Sequence, residues 1–70
     1  MQIRSTIGGT LIRILVKPGQ MIAAGQELAL IESMKMEIPL IAEGAGVVRE
    51  IFFSPGEFVQ EDDVVIVLGI

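Results

Sequence analysis

The sequence predicts an all-β fold: a flattened barrel or sandwich of two small antiparallel sheets with an approximate internal two-fold axis. Three observations carry that expectation. The apolar residues fall in short runs rich in Val and Ile, as in strands that bury one face, and none demands a helix. Gly and Pro punctuate these runs at close intervals, as turns between short strands require. The second half also repeats the first: a shift of 37 positions lays Gly9 on Gly46, Ile14 on Ile51, Pro18 on Pro55 and Gly19 on Gly56. Conservative matches extend the repeat, pairing Ile3 with Leu40, Leu11 with Val48, Val16 with Phe53, Ile22 with Val59, and 28–31 with 65–68. Each half then supplies about four short strands, and two copies facing each other enclose one core.

In chain order, Ile3 lies in a short extended segment and Gly8-Gly9 interrupts it. Thr10 to Val16 is a strand ending at the Pro-Gly turn Lys17-Pro18-Gly19-Gln20. Met21-Ile22 is a brief apolar step, Ala23-Ala24-Gly25-Gln26 turns again, and Glu27 to Ser33 forms the next strand. Beyond a central hairpin, Pro39 removes a backbone donor and so belongs on an edge strand or at a strand end. Glu43 to Gly46 turns the chain into Val47 to Phe53. Ser54-Pro55-Gly56-Glu57 breaks it, Phe58-Val59 follows, and the acidic turn Gln60-Glu61-Asp62-Asp63 leads to a last strand, Val64 to Leu68. Positions apolar in both copies are the expected core: Ile3, Leu11, Ile14, Val16, Ile22, Leu28 and Leu30, with Leu40, Val48, Ile51, Phe53, Val59, Val65 and Val67.

With 70 residues, the chain is expected to be one domain, 1–70, and a monomer in isolation. It contains no cysteine and no histidine, which excludes disulfides, thiolate metal sites, a cysteine nucleophile and the commonest general base. The net charge of −4 and five scattered cations argue against a nucleic-acid surface, which needs clustered Lys and Arg. No apolar run approaches the roughly 18 to 20 residues of a membrane-spanning helix, and the N-terminal residues lack a signal-like apolar segment. A cytoplasmic protein without membrane association is the expectation.

Near the midpoint stands Glu32-Ser33-Met34-Lys35-Met36-Glu37, between the apolar runs 28–31 and 38–41. With Met34-Lys35 as a two-residue hairpin loop, Ser33 opposes Met36, Glu32 opposes Glu37 and Ile31 opposes Ile38. Such a loop favours positive φ and hence Asn-Gly or Asp-Gly, so turn chemistry alone does not account for Met-Lys. The bland reading of Lys35 is a solvated charge, and of the methionines, core filling. Met34, however, would share the exposed tip, where an apolar side chain beside an amine is more useful for recognition than for packing. An amine activated by desolvation is not expected at a solvated tip flanked by carboxylates. The repeat also marks the lysine as special. The second copy ends at Ile70 with no counterpart to 34–36, so the tip and the chain ends should lie at opposite extremes.

Met-Lys-Met within Glu32 to Glu37, approached through Gly25-Gln26-Glu27-Leu28 and centred in an internal repeat, resembles the biotinyl domain of biotin-dependent carboxylases. The resemblance runs from Ile3 to Leu68. It implies that Lys35 accepts covalent biotin from a biotin protein ligase, with Met34, Met36 and Glu32 recognised by the ligase. It also implies a non-catalytic carrier that moves a carboxyl group between the biotin carboxylase and carboxyltransferase sites of an acyl-CoA type carboxylase. Two departures stand out: Ser5-Thr6-Ile7 replaces the family's Ala-Pro, and Ser33 replaces the commoner alanine. The segments 16–28 and 53–65 are equally long, leaving no room for the protruding thumb of some bacterial carriers. A free-standing biotin/lipoyl attachment protein or a lipoyl carrier is the alternative. Lipoyl carriers typically place an acidic residue before the lysine, and here Met34 occupies that position.

Overall fold

A computed structural model describes residues 1–70. Eight strands form: β1 (Gln2–Arg4), β2 (Gly9–Ile14), β3 (Met21–Ile22), β4 (Glu27–Ser33), β5 (Met36–Ile41), β6 (Gly46–Ile51), β7 (Phe58–Val59) and β8 (Val64–Gly69). There is no helix. They make two four-stranded antiparallel sheets, ordered β1-β8-β6-β3 and β5-β4-β2-β7. The expected two-sheet architecture and internal symmetry are therefore present. The halves are more entangled than two copies facing each other: each sheet takes its inner strands from one half and its outer strands from the other. Pro39 lies on β5, an edge strand, where its missing donor costs no ladder bond.

The symmetry extends to single hydrogen bonds. Gly19 N–H donates to the Val48 carbonyl and Gly56 N–H to the Leu11 carbonyl, both at 2.7 Å. Each Pro-Gly turn is thereby fastened to the opposite half. Four turns share one construction: the N–H of the fourth residue donates to the carbonyl of the first, from Gln20, Gln26, Glu57 and Asp63 to Lys17, Ala23, Ser54 and Gln60. The side chain of the same fourth residue accepts from the N–H of the first. The third residue has positive φ, which Gly19, Gly25 and Gly56 tolerate freely and which Asp62, at 72°, adopts in the one turn without glycine.

Fourteen buried apolar side chains form the core, including Leu11, Ile22, Leu28, Ile31 and Leu40 from one part of the chain and Val48, Val59, Val65, Ile66 and Leu68 from the other. Two expected core positions, Leu30 and Val67, instead face outward and are only half-buried, while Ala29, Ile31, Ala42, Ile66 and Leu68 are enclosed. Ile14, Ile51 and Phe53 pack against the core from its margin. Bulges explain the changed parity. The β4–β5 register shifts between Glu27 and Ala29, and the β1–β8 register shifts at the equivalent place, opposite Val65. Leu28 and Ala29 consequently both point inward, as do Val65 and Ile66.

Gly9 and Gly46 mark the closest backbone approaches. A Cβ on Gly9 would collide with the Glu32 carbonyl oxygen and lie 2.9 Å from Ile31 Cγ2; one on Gly46 would lie 2.7 Å from the Gly69 carbonyl. Gly9→Ala and Gly46→Ala are each expected to cost about 1 to 3 kcal/mol by overpacking. Asp62→Gly is expected to stabilise by several tenths of a kcal/mol, because glycine relieves the left-handed backbone. Urea unfolding of the three variants should show opposite shifts in midpoint.

Candidate functional site

The chain reverses between β4 and β5 with Met34-Lys35 as its two loop residues. Ser33 opposes Met36, Glu32 opposes Glu37 and Ile31 opposes Ile38, the register read from the sequence. Both loop residues have positive φ, 52° at Met34 and 65° at Lys35, as the tight hairpin demands. Neither side chain suits that conformation, so the tip holds local backbone strain against an otherwise well-paired ladder.

The strain presents side chains to solvent. Met34 is 90% exposed and Met36 63%, so neither methionine fills the core. Lys35 is exposed and takes part in none of the side-chain hydrogen bonds of the fold. Glu32 and Glu37 are exposed on one face a single step below the tip. Ile31, one step further, is buried on the other face and anchors the hairpin to the core. Lys35, Met34, Met36 and Glu32 are thus brought together, with the amine free on a braced arm.

A second asymmetry accompanies the hairpin. The turn Gln60-Glu61-Asp62-Asp63 takes the place that Ala23-Ala24-Gly25-Gln26 holds in the other half, adding three carboxylates. Ser5 ties this turn to the β1–β2 loop, donating its N–H to the Asp63 carbonyl and accepting from Asp62 N–H. That loop leads directly into Gly9, which lies against Glu32. These two departures from the repeat therefore lie at the same end of the fold, where Glu32, Glu37, Glu61, Asp62 and Asp63 outnumber Lys35 and Arg4.

The model of a sequence family described as "Biotin-requiring enzyme" matches residues 1–68. The chain belongs to that biotin/lipoyl family. Its relatives include a biotin/lipoyl attachment protein of Bacillus subtilis, 44% identical over 69 residues, 99% of this chain and 94% of that protein. A biotinylated protein, the TB7.3 homologue of Mycobacterium leprae, is 38% identical over 67 residues, covering 96% of this chain and 94% of that one. Among solved structures, the urea carboxylase of Kluyveromyces lactis contains a region matching 99% of this chain at a TM-score of 0.94 and 28% identity. That region is 6% of the enzyme's length. The family and fold expected from Met-Lys-Met and the internal repeat are borne out.

The Met34-Lys35 hairpin is strained by its own side chains. Replacing Met34-Lys35 by Asn-Gly is expected to raise stability by about 1 to 2 kcal/mol, since both residues then suit positive φ. A thermal or urea melt that leaves the double variant no more stable than the parent would show that the tip is relaxed.

Proposed function

We propose that Lys35 is the acceptor of covalent biotin and that the domain serves as a carboxyl carrier for a biotin-dependent carboxylase. The observation that carries this reading is the amine of Lys35 on a strained two-residue tip between exposed methionines, in a chain of the biotin-requiring family. The site fits the group: an unencumbered primary amine is what an amide linkage to a carboxylic acid needs. In the attachment step the ε-nitrogen forms the amide bond to the biotinyl carbonyl carbon of biotinyl-AMP, the bond to phosphate oxygen breaks, AMP leaves and the nitrogen loses a proton.

The ligase supplies the activated acyl group and the catalysis, because this chain has no histidine or cysteine to act as base or nucleophile. The domain supplies presentation. A braced hairpin offers the amine in one geometry, which lowers the ordering cost of recognition, and Met34 and Met36 offer apolar surface on either side of it. Once bound, biotin provides a ureido nitrogen that carries the carboxyl group from a biotin carboxylase site to a carboxyltransferase site. The carrier's contribution there is a high effective concentration of that group at both sites.

A second reading, lipoate on the same lysine, is favoured by the name of the 44% identical relative, a biotin/lipoyl attachment protein. The two adducts differ in mass, so intact-mass measurement after incubation with each ligase separates them. Lys35→Ala is expected to abolish the adduct while leaving the melting temperature unchanged, and a persisting adduct would place the acceptor elsewhere. Met36→Ala is expected to slow biotinylation several-fold without loss of stability, because the side chain it removes is exposed. A matched fall in stability would instead assign Met36 to packing.

A further inference from the structure

Opposed residues of an antiparallel ladder share a face, and the registers of the lysine-bearing sheet line up one row just below the tip. Glu37 on β5 opposes Glu32 on β4, Glu32 opposes Thr10 on β2, and Thr10 opposes Phe58 on β7. All four side chains are exposed. At about 4.8 Å per strand, Phe58 stands about 10 Å across the sheet from Glu32. Phe58 is 63% exposed, whereas Val59 beside it fills the core. Its ring end lies over Gly8, where a Cβ would sit 3.7 Å from Cζ, so the aromatic side chain rests on the β1–β2 loop.

We propose that this row is the docking strip for the ligase that modifies Lys35, with Phe58 as its apolar anchor. The inference rests on the carrier reading above. Before modification the acceptor is a bare four-carbon side chain, so the ligase must bring its catalytic wall against the tip and hence against the row one residue below it. After modification, biotin's own carbon chain lengthens the arm, and later sites can be reached with the row held clear. The strip fits a surface with a pocket for the Phe58 ring and basic side chains opposite Glu32 and Glu37. An aromatic ring already resting on the loop loses little freedom on docking, as suits an anchor.

The internal symmetry provides a control. Met21 is the counterpart of Phe58 in the other half, on β3, 73% exposed and outside the lysine-bearing sheet. The experiment uses biotin protein ligase from Bacillus subtilis with biotin and ATP, and measures initial rates of biotin incorporation against domain concentration. Circular dichroism and the melting temperature confirm that each variant is folded, and Phe58→Leu is the milder substitute if Phe58→Ser is not. Phe58→Ser is expected to raise KM for the domain tenfold or more with kcat within twofold of the parent, while Met21→Ser leaves both unchanged. Equal KM values for the parent and the Phe58 variant would overturn the docking strip, as would equal losses from the Phe58 and Met21 variants. Failure of the parent chain to incorporate biotin would overturn the carrier reading and this inference with it. A normal parent with an unaffected Phe58 variant overturns the inference alone.

Discussion

Neither half of this chain can bury its own apolar face. The inner strands of each sheet come from one half, and the edges that close that sheet come from the other. The Pro-Gly turns enforce the exchange, because Gly19 and Gly56 donate across it to Val48 and Leu11. Core, turns and symmetry depend on this mutual closure. In a fold built from 70 residues, where core burial leaves a narrow margin, every part must serve it. Gly9 and Gly46 show how little slack remains, since a methyl group at either would meet a backbone carbonyl.

Against that economy the Met34-Lys35 tip is an expense without structural return. It buries neither of its side chains and adopts a backbone conformation that Asn-Gly would hold more readily. Local rules broken in an otherwise consistent fold are expected where function, not folding, has chosen the residues. The rigid ladder beneath, anchored by Ile31, lets the departure stay local. A flexible loop could expose a lysine too, but it would not fix the positions of Met34, Met36 and the glutamate pair relative to it.

Much of this was legible in the sequence. The 37-residue repeat indicated the two-sheet fold, and the pairings from Ser33–Met36 down to Ile31–Ile38 followed from counting outward from the tip. The inward parity of 28–31 and 65–68 was not legible, because four consecutive apolar residues carry no period-two signal and each run contains a bulge. The interlocking of the halves was hidden for a different reason: the repeat shows that the units match, not which edge each one lends. Thr10 and Phe58 could not be placed in one row with Glu32 without the ladders that join β2 to its neighbours. The offset between Leu11 and Arg13 adds a further shift that composition does not announce.

The internal two-fold relates the lysine hairpin to the junction of β1 with β8, where Leu68 N–H donates to the Met1 carbonyl and the Met1 nitrogen donates back to Leu68. The two chain ends are therefore neighbours on antiparallel strands, across the dyad from the tip. Mechanically this is a zipper. Tension applied between the ends opens the β1–β8 ladder one bond at a time, whereas a pull on either end alone bears on that junction and leaves the lysine arm slack. Polypeptide joined to the ends can swing or strain the body without twisting the Met34-Lys35 hairpin.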